Sequence, residues 1–233
     1  PPATPAAVSS LCSRHSNIAS PPNAPPPSPP PCSNDTIWAQ PRTPGEAPAG
    51  TVVSTYKFTT SATSLTALSS PNVYTWQPIQ TLQTAETKWG GYFTIPPPPV
   101  TSTPTTWTTI TPPGASSSPF GCAGCAKNDP RRGWDVGGVV LQVRTISSSS
   151  LVATCSMTIK NNANVTVVVD SGHFYSSFAP LPNFNPGQFP SANITGIPGT
   201  EGTTVSMTQK VGGTRPSTNP LVYLACHFTV LAC

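Results

Sequence analysis

Eight of the eleven residues from Pro21 to Pro31 are proline, and this run decides what the front of the chain can become. Each proline fixes φ and removes a backbone N–H, so neither a helix interior nor a central strand forms there, which leaves an extended polyproline II rod. At about 3.1 Å per residue the run spans roughly 34 Å without an internal hydrogen bond. Fourteen of the 32 prolines fall in the first fifty of 233 residues, among Ala, Ser and Asn and with no hydrophobic period. Residues 1–50 therefore read as an extended arm that buries too little apolar area to fold alone, with Pro25, Pro26, Pro27, Pro29, Pro30 and Pro31 as its stiff part. Such a segment serves as a spacer or as a ligand.

Charged residues are only 8% of the chain, against about 25% in ordinary soluble domains, while Ser and Thr supply about a quarter. Hydroxyls, amides or attached sugar must do the wetting, which points outside the cell. The net charge of +4 comes from scattered single residues, Arg131 and Arg132 excepted, so the concentrated basic face of a nucleic-acid binder is missing. The same gap weighs against a viral coat protein with a genome-facing arm. No apolar run reaches the eighteen or so residues of a membrane span. The chain opens at Pro1 without a charged and apolar leader, as expected of a secreted protein after signal removal.

From Thr51 the pattern changes to period two: Val52, Ser54, Tyr56 and Phe58 alternate with Val53, Thr55, Lys57 and Thr59. Strands are also expected at Val73 to Ile79, at Lys88 to Ile95 with a bulge at Gly90-Gly91, and at Trp107 to Ile110. A Pro/Thr/Ser-rich linker or insertion occupies about residues 96–119, and Ser61 to Ser70 has room for a helical turn. In Leu151 to Lys160 the odd positions are apolar and the even ones mostly polar, a half-buried strand. Val139, Leu141 and Val143 precede it, Val165, Val167 and Val169 follow, then Val205 and Met207. Leu221 to Ala232 sets Val222, Leu224, Cys226, Phe228, Val230 and Ala232 on one inner face. Residues 51–233 are thus expected to form an all-β domain, an antiparallel β-sandwich of immunoglobulin-like or jelly-roll-like type, with the proline-rich arm before it. One sandwich is favoured over two, because residues 51–110 have too few apolar strands to enclose a core.

Seven cysteines (Cys12, Cys32, Cys122, Cys125, Cys155, Cys226 and Cys233) in such a chain read as disulfides formed in an oxidising compartment. Cys155 and Cys226 lie on apolar faces of strong strands, so a core disulfide between them is the economical pairing. An immunoglobulin domain would carry a Trp between these two cysteines, and none is present. Cys122-Ala123-Gly124-Cys125 has neither the βαβ surroundings of a thioredoxin pair nor the further ligands of a zinc site, so structural use is expected. Seven is odd; Cys12 or Cys233 is expected to stay free or to bond another chain. His227 points to the face opposite Cys226, and His15 and His173 have no ligand-spaced companions. No metal or cofactor is expected. Three sequons, at Asn34, Asn164 and Asn193, mark N-glycosylation sites.

For catalysis the inventory is thin. Asp135 and Asp170 are the acids a glycosidase would need, yet single acids at strand ends are usually solvated, and no Gly-x-Ser-x-Gly elbow occurs. The aromatics Trp76, Trp89, Tyr92 and Trp107 fall in the first folded half. Where polar residues alternate with them, some must face outward, as a groove for proline rings or a platform for sugar rings; burial in the core is the competing reading for each.

The stretch Ala24-Pro25-Pro26-Pro27-Ser28-Pro29-Pro30-Pro31-Cys32 resembles the Ser-Pro blocks of hydroxyproline-rich glycoproteins of plant and green-algal extracellular matrices, and more distantly the pherophorins. Pro96 to Pro99 and Ser118 to Cys122 echo it. The resemblance implies hydroxylated, O-glycosylated prolines and a structural role in a cell wall or matrix. Together these features describe a secreted, glycosylated structural subunit whose arm docks in a groove or on an open sheet edge of the next copy. A non-closing contact of that kind propagates as a filament. Strand donation is open only to arm segments outside the proline block, such as Ala6 to Ser20. A carbohydrate-binding or adhesive module is the alternative, and a secreted hydrolase a more remote one.

Overall fold

The structure is a computed structural model, and it describes residues 33–40, 54–57, 59–60, 73–82, 88–98, 106–108, 119–129, 132–147, 150–160, 166–189, 191–192, 197–199 and 202–232. The chain divides into two compact units, Pro1–Pro30 and Pro31–Cys233, and every described residue belongs to the second. The arm prolines Pro25, Pro26, Pro27, Pro29, Pro30 and Pro31, the cysteines Cys12, Cys32 and Cys233, the sequon asparagines Asn164 and Asn193, the side chain of Trp107 and the proposed turn at 61–70 lie outside the described set.

The described unit is all-β, and its strand pairs are antiparallel apart from an isolated parallel bridge between Ser177 and Gly212. Its strands are β1 (Ser33–Gln40), β2 (Ser54–Lys57), β3 (Thr59–Thr60), β4 (Val73–Pro78), β5 (Gly91–Ile95), β6 (Thr106–Thr108), β7 (Phe120–Ala123), β8 (Trp134–Ser147), β9 (Ser150–Ile159), β10 (Val167–Ser177), β11 (Ser191–Ala192), β12 (Ile197–Gly199), β13 (Thr204–Lys210) and β14 (Val222–Ala232). They form one sheet in the order β13-β9-β8-β7-β1-β14-β5-β4-β2, with β10 on the other edge of β14 and β6 bridging β3 to β8. The last strand therefore pairs with strands from the front of the chain, through Ile37↔Phe228 in β1 and Phe93↔Leu224 in β5.

This sheet rolls back on itself. The Gly212 N–H just beyond β13 donates to Ser176 O of β10 at 2.9 Å, and Phe178 N–H returns a bond to Gly212 O at 2.9 Å. Strands β13 and β10 so touch, and Gln209 Nε2 adds a 2.5 Å bond to Phe174 O. Inside the roll β9 faces β14, and the Cys155–Cys226 disulfide spans them with Cα atoms 6.4 Å apart, the pairing expected from the sequence.

Alternation fixes what lies inside. Leu151, Ala153, Cys155, Met157 and Ile159 of β9 are buried, as are Val139, Leu141 and Val143 of β8 and Val222, Leu224, Cys226, Phe228 and Val230 of β14, the faces read from the sequence. Ala232 is only partly buried. In β10 a register shift between Val169 and Ser171 changes the parity, so Phe174 rather than an odd-numbered residue enters the core. On the outer face of β9 and β13, hydroxyl pairs Thr154–Thr208, Ser156–Ser206 and Thr158–Thr204 bond at 2.8–2.9 Å, the usual cross-strand device on a wet face.

The arm assignment needs one correction. Residues 33–40, placed above in the arm, form β1, a central strand hydrogen-bonded to β14 on one edge and to β7 on the other. Ile37 and Ala39 are 0% and 1% exposed, so this short apolar pair belongs to the core. The proline run ends at Pro31 and the next proline is Pro41, which leaves a proline-free stretch for a doubly paired strand.

Candidate functional site

The outer face of β1, β14, β5 and β10 carries a second apolar cluster: Trp38, Ile79, Tyr92, Leu181, Phe184, Phe189 and Ala225, with Trp89, Tyr175 and Tyr223 packed against it. On a one-layer sheet this face would be wet. Here the segment after β10, residues 178–189, covers it as a strap. Its own hydrogen bonds shape it: Tyr175 Oη donates to Ala179 O at 3.0 Å, Asn183 Nδ2 to Gln188 Oε1 at 2.6 Å, and Asn185 N–H to Asn183 Oδ1 at 2.9 Å. A 3-10 turn at Pro186–Gln188 brings the chain around, so that Phe184 and Phe189 meet Trp38 with ring centroids 5.7 and 6.4 Å away.

Between the strap and the chain leading into β5 lies a cleft of about 230 Å³, lined by Thr36, Trp38, Lys88, Trp89, Phe184, Pro186 and His227. Trp38 lies low in it, 4% exposed, with His227 beside it across the β1–β14 ladder. The backbone at Gly90 passes flat over the indole of Trp38. A Cβ at Gly90 would sit 2.6 Å from Trp38 Cε2, and its φ of +132° is one that only glycine adopts freely. The Gly90 N–H is held by Asn128 Oδ1 at 2.7 Å, and Asn128 follows the Cys122–Cys125 disulfide in a 3-10 turn at Ala126–Asn128. The Cys-x-x-Cys pair thus braces one wall of the cleft. Both its sulfurs are buried, so it has no exposed thiol or disulfide to react.

His227 is 6% exposed, and burial, with His173 next to it, lowers its pKa from 6.5 to about 3. It is neutral at physiological pH, and its Nδ1 has no hydrogen-bond partner among the described residues. The cleft therefore offers aromatic walls, an uncharged imidazole at its base, and Thr36 and Lys88 as polar groups. That suits a ring-sized ligand with apolar faces and a few polar groups.

Of the expected groove aromatics whose side chains are described, Trp89 lines this cleft. Trp76 and Tyr92 are each 2% exposed and belong to the core clusters, which corrects their placement as groove residues. Tyr92 still donates from its hydroxyl to Gln77 Oε1 at 2.6 Å, which satisfies its polar end, and burial raises its pKa. Sequence reasoning missed Trp38, Phe184 and Pro186, because two of them sit on a segment that reads as loop. The expected bulge at Gly90-Gly91 is instead a close approach of backbone to the rings of Trp38 and Trp76. Asn34 is exposed on β1. Asp135 pairs with Lys160 at 3.5 Å, Asp170 is exposed, and neither lines the cleft. Among the described residues no group of three His, Cys, Asp or Glu is placed to hold a metal ion, and no helix is long and apolar enough to cross a membrane.

No family model, no curated protein and no solved structure matches this chain.

Proposed function

We propose that the protein is a secreted structural subunit whose proline-rich segment, Pro21–Pro31, docks in the aromatic cleft of a second copy, so that subunits add head to tail. The observation that carries the reading is the cleft itself: Trp89, Phe184 and Pro186 wall a ring-sized space in a chain whose sequence carries its own proline run. A polyproline II segment loses little conformational entropy on docking, and aromatic grooves are its usual receptors. The body fits a load-bearing role: β1, the first described strand after the proline run, is hydrogen-bonded to β14 on one edge and, over Ile37–Gln40, to β7 on the other, and β14 is tied to β9 by a disulfide. The two disulfides among the described residues fit an oxidising compartment, and a matrix or cell-wall setting of the hydroxyproline-rich type is part of the proposal.

The test is a titration of full-length protein with a synthetic Pro21–Pro31 peptide, followed by tryptophan fluorescence. Saturable binding that is lost in Trp89→Ala supports the reading; absence of binding at millimolar peptide rejects it. A second reading, a carbohydrate-binding module, is favoured by the mixture of Thr36, Lys88 and His227 with the aromatic walls. A glycan array answered by the wild type and silent for Trp89→Ala, with no response to the peptide, would select that reading instead.

A further inference from the structure

We infer that an N-linked glycan on Asn34 governs access to the aromatic cleft, an inference that names a regulator of the same site and rests on the docking reading above. Alternation along β1 puts Ile37 and Ala39 on the inner face with the main core, and Asn34, Thr36 and Trp38 on the outer face. At about 3.4 Å per residue, the Asn34 Cα stands roughly 7 Å from that of Thr36 and roughly 14 Å from that of Trp38, in line along one strand. Thr36 is at once the hydroxyl residue of the sequon Asn34-Asp35-Thr36 and part of the cleft lining.

The segment is also open to modification. Asn34 and Thr36 are exposed, and β7 pairs only with Ile37–Gln40, so Asn34 and Asp35 have no partner in β7. The Thr36 N–H turns to Asp35 Oδ1 at 2.8 Å. Modification joins Asn34 Nδ2 to the anomeric carbon of a diphosphate-activated oligosaccharide; one amide proton is lost and the diphosphate departs. The sugars then attached have apolar ring faces that match Trp89 and Phe184, and hydroxyl and acetamido groups within the chemistry of Thr36 and Lys88. A tether this short gives an effective concentration on the order of millimolar, so weak sugar–aromatic contacts suffice to fill the cleft in cis. A cleft of about 230 Å³ holds a sugar ring or a proline pair and not both, so the glycosylated subunit is held back from assembly.

The experiment uses the full chain from a host that N-glycosylates, as wild type and as Asn34→Gln with the other two sequons intact, below the concentration at which it assembles. Glycopeptide mass spectrometry reads occupancy at Asn34, and fluorescence titration reads affinity for the Pro21–Pro31 peptide. Amidase treatment of folded wild type and of Asn34→Gln, which converts each glycosylated Asn to Asp, repeats the comparison, the Asn34→Gln sample showing what the other two sequons contribute. The inference predicts an occupied Asn34 and peptide binding at least tenfold weaker in the glycosylated protein. An unmodified Asn34, or equal affinities with and without its glycan, overturns the gate and leaves docking intact; no binding to either form removes the docking reading and the gate with it.

Discussion

Trp38 and His227 face each other across the β1–β14 ladder with ring centroids 4.9 Å apart and planes at 66°. His173 stands opposite His227 on the far side, its ring centroid 6.2 Å away, so one row across three strands reads Trp38, His227, His173. An indole between the strap and the backbone of Gly90, and a buried imidazole kept neutral, together make the floor on which the cleft is built.

That floor makes the fold sensitive to acid. The folded-state pKa of His227, about 3, lies below its unfolded value of 6.5, so below pH 6.5 the unfolded chain binds a proton that the folded chain refuses. Stability is full above about pH 6.5, falls as pH drops toward 3 at up to about 1.4 kcal/mol per unit, and this contribution levels off below 3. Urea unfolding at a series of pH values measures the slope, and His227→Phe is expected to remove it.

Replacing Trp38 and replacing Trp89 should separate stability from binding. Trp38 packs against Phe184, Phe189 and His227 and is 4% exposed, so Trp38→Ala should cost about 3–5 kcal/mol by denaturant unfolding. Trp89 is half-buried, and Trp89→Ala should lower peptide affinity at least tenfold with a smaller loss of stability than Trp38→Ala.

Gly90→Ala tests the close approach to the indole. The added methyl meets the Trp38 ring at 2.6–2.7 Å and must adopt φ +132°. Strain at such a backbone position costs about 1–3 kcal/mol before the clash is counted. Thermal unfolding should show a clearly lower Tm, and near-ultraviolet circular dichroism an altered tryptophan signature.

The two disulfides among the described residues should contribute unequally. Cys155–Cys226 closes a separation of 71 residues, and replacing both cysteines by Ala should cost about 2–5 kcal/mol. Cys122–Cys125 closes a separation of three, so its removal should cost less stability and chiefly loosen the turn that carries Asn128, seen as weaker peptide binding. All four of these sulfurs are buried, so labelling at Cys122, Cys125, Cys155 and Cys226 under mild reductant, read by peptide mass spectrometry, should proceed only as fast as unfolding.

Where a strand is long and one-sided, the sequence was enough to place its faces: the parity of Leu151 to Ile159 and of Val222 to Val230 put Cys155 and Cys226 inside and His227 outside. Two features escaped that logic. Strand β1 has only Ile37 and Ala39 as inward apolar residues, too few to stand out beside the prolines, and its centrality comes from its long-range partners β7 and β14. Trp76 and Tyr92 were open to outward placement because polar residues alternate with them, but near β5 both faces of the sheet are covered, the inner by the core and the outer by Leu181, Phe184 and Phe189 of the strap. A strap built from Pro, Asn and Phe has no period, so its burial is set by tertiary packing alone.

Because β1 begins at Ser33, an arm deletion has to stop short of it. Removal of residues 1–50 would take out a central strand and unfold the body, whereas removal of residues 1–31 leaves the described unit's strands whole. Sedimentation velocity of the deglycosylated full chain against the chain without residues 1–31, with negative-stain images of both, tests the central claim most directly. Concentration-dependent polymers from the full chain and a folded monomer from the shortened one are the predicted result. Polymers that persist without residues 1–31, or a full chain that stays monomeric at high concentration, would contradict assembly through the arm.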